Sequence, residues 1–350
     1  MASIAIPTVD LTPFTSPSSA SETQLQAAKQ LVQACHSLGF VKITGHGFTK
    51  EEVDHAFAWS NRLFDLALED KMKAPHPAGP VPHRGYSAIG VEKIYSREDV
   101  GDYAGSEKKG EEEERLRGVR DYKESYEIGS EQDDQMPNIW LPDDVLPGFR
   151  SEMTLLYERL AGVGRMVLGA IGVGLELGPE EMDELMKFSS ASHSQLRLLH
   201  YPAIGKEKLE TELLSRLPAH NDWSAFTMLI QDSNGGLELR DPSSQEFVRA
   251  VPEEGALILN IGDMLQRFTN DYFISALHRV SVPNPDSVPS SGIPARYSIP
   301  FFVNPPPSLD IATLPRFVTA EMPVKYEPVR YEDYSALVSK YQYQYQGGKE

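Results

Sequence analysis

The chain has 350 residues and a formal net charge of −18 at pH 7, and 40% of its residues are hydrophobic. This is the composition of a globular enzyme of one to three domains, and the negative charge argues against nucleic acid or an anionic membrane as a partner. No apolar run reaches the ~18 residues of a membrane span, and we expect no secretory signal. The single cysteine, Cys35, excludes an internal disulfide and favours a reducing, cytoplasmic compartment.

The first half of the chain predicts mostly helices. Apolar residues at helical spacing predict a helix over residues 21–38, with Cys35 as an inert thiol on its buried side, and a second helix over residues 50–69. Residues 101–118 contain few apolar side chains and predict a mobile loop with a solvated acidic face. A long helix over residues 150–175 carries its apolar positions on one side, so we expect it to back the main sheet.

From about residue 194 the hydrophobic period shortens to that of strands. Turn-rich stretches separate seven candidate strands, at residues 195–201, 226–231, 236–240, 246–251, 256–260, 275–282 and 295–303. So many short strands predict a sandwich or a barrel. The proline-rich residues 304–307 end the last of them. The tyrosine-rich tail predicts a helix near residues 331–345 that would lie over the mouth of the barrel.

Two histidines and one aspartate have a spacing that suits a metal. Around His220-Asn221-Asp222 the chain predicts a strand, in which side chains two apart share a face. His220 and Asp222 would then bind one ion while Asn221 points away, and His278 would come from a different strand. Three nitrogen and oxygen ligands leave positions open, as an iron(II) site requires. A chance triplet and a histidine of the core remain the alternative on these residues alone.

An arginine and a serine form a second polar pair inside an apolar strand. Arg296 and Ser298 share a strand face, so a guanidinium and a hydroxyl can bind one carboxylate together. Burying an arginine among apolar residues is costly unless an anion meets it. That anion is either a ligand or an acidic side chain of the protein, and the residues leave both open.

Together these residues resemble the iron(II)- and 2-oxoglutarate-dependent oxygenases of the isopenicillin N synthase-like family, in particular its fungal members that tailor secondary metabolites. The resemblance extends over most of the chain. Further matching segments, each weak alone but specific in their order and spacing, are residues 6–11, 34–47, 84–86, 121–124, 260–265 and 278–280.

The resemblance implies a fold that is mainly β with a helical N-terminal region. A double-stranded β-helix, or jelly roll, would form the core and be backed by helices. The division implied for the chain is a helical N-terminal region over residues 1–120, a connecting segment and backing helix over 121–190, the catalytic core over 191–305 and a C-terminal tail with a helix over 306–350.

The resemblance also implies the chemistry and the residues of the site. The iron(II) ligands would be His220, Asp222 and His278, and the 2-oxoglutarate contacts would be Arg296, Ser298 and Tyr201. With Fe(2+), 2-oxoglutarate and O2, such an enzyme oxidises a C–H bond of a small organic molecule by hydroxylation, desaturation or ring rearrangement, and releases succinate and CO2. Two alternatives remain: an oxidase of the same family that does not use 2-oxoglutarate, and a non-catalytic binding protein on the same fold.

The substrate residues are predicted from position only. Gln195, Arg197, Leu199 and Tyr201 alternate along one strand, so Arg197 would face either the barrel interior or an acid on the outer surface. Inside, its charge would suit an acidic or phenolic substrate. We expect a monomer or a weak homodimer, with these further candidates for the pocket: His193, Phe226, His83, Arg84 and Tyr86.

Overall fold

The computed structural model describes residues 5–16, 21–78, 83–92, 120–189, 192–211, 214–282 and 288–343. Short 3₁₀ turns lie at Lys187–Ser189 and Pro315–Phe317. The α-helices are α1 (Thr12–Thr15), α2 (Ser21–Ser37), α3 (Lys50–Phe64), α4 (Leu68–Lys71), α5 (Phe149–Gly174), α6 (Pro179–Met186), α7 (Lys206–Thr211), α8 (Asp263–Phe268) and α9 (Tyr331–Tyr343).

The strands extend along most of the chain. They are β1 (Thr8–Asp10), β2 (Phe40–Thr44), β3 (Gly85–Ser87), β4 (Arg120–Asp121), β5 (Glu124–Ile128), β6 (Gln195–Tyr201), β7 (Leu214–Ser215), β8 (Leu217–His220), β9 (Phe226–Gln231), β10 (Leu237–Arg240), β11 (Phe247–Arg249), β12 (Leu257–Ile261), β13 (His278–Val280), β14 (Arg296–Val303), β15 (Asp310–Ile311) and β16 (Val329–Arg330).

Two sheets form the core of the molecule. The large sheet has the order β1-β2-β12-β9-β14-β6-β5-β3, and the small sheet has the order β11-β10-β13-β8. Apolar side chains of the two sheets pack together, for example Leu199 and Leu229 with Leu237 and Leu239. Neighbouring strands are far apart in sequence and mostly antiparallel. The predicted jelly roll is therefore confirmed.

The predicted elements are confirmed with small changes of boundary. All seven candidate strands form, and β6 and β9 have the predicted bounds. The predicted helix over residues 50–69 is divided, because the Leu66 amide bonds the Leu63 carbonyl in a tight turn that ends α3 before α4 begins. A capping box between Thr49 and Glu52 fixes the start of α3. The predicted mobile loop over residues 101–118 lies outside the described residues.

Helices cover the outer face of the large sheet. The residues of α5 that helical spacing predicts to face inward are all buried: Met153, Leu156, Tyr157, Leu160, Val163, Val167 and Ile171. Helix α2 packs beside α5, with Cys35 in the core. Burial raises the pKa of Cys35 to about 12, which fits an inert thiol. Gly164 lets α5 approach β14, because a Cβ there would lie 2.9 Å from the Val303 side chain. The large sheet is thus buried on both faces.

The N-terminal region is hydrogen-bonded into the large sheet. β2 pairs with β12, and β1 extends the same edge in parallel with β2. At the opposite edge, β3 and β5 continue the sheet beyond β6. Strands that precede residue 129 and strands of the 191–305 core therefore build one sheet together. Within the described part of the chain, no helix combines the length and the apolar character needed to cross a membrane.

Candidate active site

A cavity of about 480 Å³ lies between the two sheets. Along β14 the side chains of Arg296, Ser298, Pro300 and Phe302 face this cavity, while those of Ile299, Phe301 and Val303 face the helices. The alternation of a strand thus separates a polar interior row from an apolar helix-facing row. The side chains predicted for iron, co-substrate and substrate line the same cavity, with two exceptions described below.

His220, Asp222 and His278 meet in the wall of the cavity. His278 on β13 pairs directly with His220 on β8. The Nε2 atoms of His220 and His278 lie 3.7 Å and 3.8 Å from Asp222 Oδ1. These separations are too long for hydrogen bonds, and the three candidate ligand atoms lie within 4.8 Å of one another. The arrangement leaves room for one ion between them.

Asp222 lies just beyond the strand in which it was predicted. β8 ends at His220, so the prediction that the whole triplet is a strand is wrong. Hydrogen bonds fix the carboxylate instead: Asp222 Oδ2 accepts from Thr227 Oγ1 at 2.6 Å and from Asn260 Nδ2 at 2.7 Å. Asn221 points elsewhere and donates to the Ser275 carbonyl at 2.7 Å.

The charge state of the triad suits a divalent cation. Burial acts to raise the pKa of Asp222, but the two imidazoles and the bonds from Thr227 and Asn260 hold that pKa below its usual value. Burial and the neighbouring His278 lower the pKa of His220 to about 4. A carboxylate beside a neutral imidazole is the protonation state that binds a metal.

Both imidazoles have the tautomer that a metal ligand needs. His220 Nδ1 lies 2.8 Å from the Pro218 carbonyl, and His278 Nδ1 lies 3.1 Å from the Ala276 carbonyl. A carbonyl oxygen only accepts, so each Nδ1 carries the proton and each Nε2 presents its lone pair. The backbone thereby directs the two Nε2 atoms toward Asp222. Nitrogen and oxygen donors of this kind fit iron(II).

The predicted carboxylate clamp lies in the same cavity, and Arg296 donates hydrogen bonds to neutral groups. Arg296 is 1% exposed; its Nε donates to the Gly235 carbonyl at 2.7 Å, and its Nη1 donates to Ser298 Oγ at 2.9 Å. Among the described residues it forms no ion pair with an acid. The alternative of a structural salt bridge is therefore not observed there, and a buried guanidinium faces a cavity that an anionic ligand can enter.

Tyr201 lies opposite Arg296 at the end of β6, and a second arginine approaches it. The Cζ atoms of Arg296 and Arg216 lie 5.0 Å and 5.9 Å from the centroid of the Tyr201 ring. Arg216 is 4% exposed, and burial together with the charge of Arg296 lowers its pKa to about 10. The resemblance pointed to Tyr201 and Arg296 but gave no sign of Arg216.

Four of the predicted substrate residues lie in the core segment that begins at residue 191, and three of these four line the cavity. They are His193, Gln195 and Arg197. Phe226 does not: it is fully buried in the core on the helix side of the large sheet, and its neighbour Thr227 faces the cavity. The prediction placed Phe226 on the wrong face because both faces of β9 are buried and hydrophobic pattern does not tell them apart.

Of the three candidates from the N-terminal region, His83, Arg84 and Tyr86, two lie at the cavity. His83 and Arg84 line the cavity. Arg84 donates hydrogen bonds to Asp133 Oδ2 at 3.0 Å and to the Met136 and His83 carbonyls. Tyr86 lies outside the cavity and donates to Glu124 Oε2. Of these residues, only His83 and Arg84 could contact a substrate.

Arg197 both faces the cavity and pairs with acids. Its Nη2 lies 2.8 Å from Glu127 Oε1, and its Nη1 donates to Glu92 Oε1 at 3.1 Å. Lys123 contacts the other oxygen of Glu92. Although burial acts to raise their pKa values, Arg197 and its neighbours hold the pKa values of Glu92 and Glu127 below normal. Sequence reasoning missed the contacts of Arg197 with Glu92 and Glu127 and of Lys123 with Glu92, because these three residues lie far from Arg197 in the chain.

The C-terminal helix α9 borders the cavity. The sequence predicts that this helix lies over the mouth of the barrel. Tyr331, Ser335, Ala336 and Val338 contribute to the lining. Tyr334 anchors the helix, because its hydroxyl donates to the buried Asp263 Oδ2 at 2.6 Å.

Comparison with known proteins assigns the family. Residues 192–305 match the model of the 2OG-Fe(II) oxygenase superfamily, and residues 6–143 match the N-terminal model of a non-haem dioxygenase in morphine synthesis. Proline hydroxylase buaE of Petromyces alliaceus is 35% identical over 85% of this chain and 87% of that protein. The 2-oxoglutarate-dependent dioxygenase htyE of Aspergillus rugulosus is 35% identical over 92% of this chain and 94% of that protein.

Solved structures agree with this assignment. The crystal structure of a full-length Neurospora crassa protein in complex with alpha-KG superposes with a TM-score of 0.82 at 30% identity, covering 96% of both chains. The same Neurospora crassa protein with alpha-KG and thymine gives a TM-score of 0.82 at 31% identity, covering 97% of both chains.

The fold and the site define a jelly-roll oxygenase of the non-haem iron class. The chain belongs to the 2OG-Fe(II) oxygenase superfamily, with 2-oxoglutarate-dependent dioxygenases of fungi among its relatives. It is a dioxygenase that uses Fe(2+), 2-oxoglutarate and O2 and acts on a small molecule.

Proposed function

We propose that His220, Asp222 and His278 bind the iron(II) of this dioxygenase. The observation that carries the proposal is the convergence of two Nε2 atoms and one carboxylate oxygen within 4.8 Å, with both Nδ1 protons held by backbone carbonyls. One anionic and two neutral ligands leave coordination positions for 2-oxoglutarate and O2. Thr227 and Asn260 hold the carboxylate in place.

We propose that Arg296, Ser298 and Tyr201 bind the distal carboxylate of 2-oxoglutarate. Support comes from the burial of Arg296 without an acid partner among the described residues and from its bond to Ser298. Arg296 supplies charge and a planar fork, Ser298 fixes one branch of that fork, and Tyr201 lies against it. When bound, iron and 2-oxoglutarate supply the oxidising power for attack on a C–H bond.

The primary substrate would occupy the rest of the cavity, beside His193, Gln195 and Arg197. A proline hydroxylase among the relatives and the thymine bound to the Neurospora crassa protein support a small organic substrate. We propose a secondary metabolite, oxidised by hydroxylation, desaturation or ring rearrangement with release of succinate and CO2. The protein walls position the reacting C–H bond and exclude water.

Oxygen uptake with and without 2-oxoglutarate tests this function. The iron-loaded protein is supplied with candidate metabolites, and succinate is measured alongside O2 consumption. The proposal expects O2 consumption to require 2-oxoglutarate and succinate to form. Substrate oxidation that consumes O2 without 2-oxoglutarate would contradict it and favour the oxidase alternative.

We further propose that the enzyme works in the cytoplasm as a monomer or weak homodimer, without nucleic acid or membrane as a partner. The net charge of −18 and the single buried cysteine support this. Light scattering after gel filtration should give a mass near 39.0 kDa at low concentration. A stable higher oligomer would contradict the proposed state.

A further inference from the structure

Four charged side chains form a buried cluster in the wall of the substrate part of the cavity. Lys123 and Arg197 both contact Glu92, and Arg197 also pairs with Glu127 on the neighbouring strand. All four residues are less than 9% exposed. Burying ion pairs is expensive, and replacing them by apolar side chains often stabilises a protein. Such a cluster beside an active site indicates a role in binding.

The positive and negative members of the cluster occupy different places. Lys123 and Arg197 line the cavity, whereas Glu92 and Glu127 do not. The cavity is therefore lined by positively charged N–H donors, and the two carboxylates lie behind them, away from the cavity surface. Glu92 contacts both cations and fixes their spacing before any ligand arrives. An entering carboxylate gains from this arrangement, while an ammonium group meets like charge.

The cluster lies next to the proposed iron site. Lys123 and Arg197 line the same cavity as His220, Asp222 and His278. Gln195, which also lines the cavity, donates to Glu127 Oε2 at 3.2 Å and so extends the polar wall. A substrate anchored here by one end would present its remaining carbons to the iron.

We propose that the primary substrate carries a carboxylate, which Lys123 and Arg197 bind together. The proposal rests on the proposed function, because it places this carboxylate in the same cavity as iron and 2-oxoglutarate. Lys123 and Arg197 are then the residues that determine specificity, and Glu92 and Glu127 are positioning residues.

A matched pair of probes tests the charge preference. Full-length protein loaded with iron(II) and 2-oxoglutarate without oxygen is titrated calorimetrically with 3-phenylpropionate and with 3-phenylpropionamide. The wild type should bind the acid at least about tenfold more tightly than the amide, a difference of about 1.4 kcal/mol. In Lys123→Met the preference should nearly disappear, while 2-oxoglutarate still binds.

Two further variants keep the test decisive. Lys123→Met combined with Glu92→Gln removes one charge of each sign and should lose the preference without leaving a carboxylate short of a cation. Lys50→Met, at an exposed lysine paired with Asp54, should retain it. Equal binding of the two probes by the wild type, or binding of neither, would overturn the inference. Failure of the proposed function would show differently, as absent 2-oxoglutarate binding in the wild type.

A second observation concerns the 2-oxoglutarate end of the cavity. Arg216 makes a single hydrogen bond in the described structure, from Nη2 to the Pro294 carbonyl at 2.5 Å, and its Nε has no partner there. No acid among the described residues forms an ion pair with it, although Asp232 attracts it weakly. Arg216 and Arg296 thus place two buried positive charges against one ring, that of Tyr201.

The geometry points to Arg216 as a positioning residue for 2-oxoglutarate. It does not line the cavity, so it acts through Tyr201, which it holds against Arg296, and through its charge. Repulsion between the two guanidiniums is relieved when the distal carboxylate binds, and the relief adds to affinity. This inference also rests on the proposed function.

Comparison of 2-oxoglutarate with 2-oxopentanoate isolates the distal carboxylate. The second compound has the same chain length and ends in a methyl group. In Arg216→Met the dissociation constant for 2-oxoglutarate should rise about tenfold, with that for 2-oxopentanoate unchanged. Arg216→Lys, which keeps the positive charge, should bind 2-oxoglutarate almost as tightly as the wild type. Equal weakening of both compounds, or unchanged binding of 2-oxoglutarate, would overturn the assignment. If Arg296→Leu no longer distinguishes 2-oxoglutarate from 2-oxopentanoate while Arg216→Met still does, the role of Arg216 is refuted and the proposed clamp is supported.

Discussion

Arg197 on β6 lies directly opposite Glu127 on β5, and its Nη2 is 2.8 Å from Glu127 Oε1. From sequence, Arg197 had two alternatives, the cavity or an acid on the outer surface. The structure follows the first alternative and keeps one part of the second, because this arginine lines the cavity and is held by acids that are buried behind it. A buried guanidinium held this way is rigid as well as charged.

The first prediction concerns this ion pair. Glu127→Gln should lower the free energy of unfolding at pH 7 by about 3 kcal/mol, because it leaves a buried guanidinium with one acid fewer. Urea denaturation measures the change. The exposed pair between Lys50 and Asp54 provides the control, since Asp54→Asn should cost at most about 1 kcal/mol.

The pH dependence of unfolding shows in which direction Glu127 changes the stability. The folded pKa of Glu127 lies below its ordinary value of 4.5, so its stabilisation is complete above pH 4.5 and is lost as pH falls toward the folded pKa. The wild type should therefore lose stability on acidification more steeply than Glu127→Gln. Parallel profiles in that range would refute a contribution from this carboxylate.

A second prediction concerns the support of Asp222. Thr227→Val removes the 2.6 Å bond to Asp222 Oδ2 while keeping a side chain of similar shape. Iron(II) affinity should fall about 10- to 100-fold, the usual effect of losing a group that orients a ligand. Metal titration under anaerobic conditions measures this, and Thr227→Ser should bind iron almost as well as the wild type. Unchanged affinity in Thr227→Val would refute the orienting role.

Sequence reasoning succeeded where local pattern decides the structure. Alternation fixed the bounds of β6 and the shared face of Gln195, Arg197 and Tyr201, and family motifs selected the residues of the triad. It failed at Phe226, because helices bury one face of the large sheet and the small sheet buries the other. Hydrophobicity then no longer identifies the inner face.

The remaining errors arise from long-range contacts. Arg197 and Glu92 are separated by 105 residues, and no periodicity connects them. The role proposed for Arg216 depends on its contact with the Tyr201 ring, which Arg296 also approaches, and this contact forms only in the folded protein. Asp222 departs from the strand because its side chain and backbone are held by Thr227, Asn260 and Asp263.

The third prediction concerns the C-terminal helix. Tyr334→Phe removes the 2.6 Å hydrogen bond to Asp263 and should destabilise the docking of α9 by about 1 kcal/mol. Hydrogen exchange should accelerate in α9 and stay unchanged in α5, which packs against the large sheet. Faster exchange throughout the protein, or an unchanged exchange rate in α9, would contradict this local role.

The fourth prediction concerns the co-substrate clamp. Arg296→Leu removes the buried cation that would meet the distal carboxylate. Loss of one partner of such a pair costs about 3–5 kcal/mol, or at least about a hundredfold in the dissociation constant. Calorimetric titration of 2-oxoglutarate into iron-loaded protein measures it. If the variant and the wild type bind 2-oxoglutarate equally, the clamp lies elsewhere.

Iron content and turnover of the triad variants test the central claim most directly. His220→Ala, Asp222→Ala and His278→Ala are each loaded with iron(II) without oxygen, desalted and assayed for bound iron and for succinate release, with circular dichroism to verify the fold. The account predicts that the wild type retains iron and releases succinate, and that each folded variant loses both. A variant that keeps its iron and its full activity would show that the metal is bound by other residues.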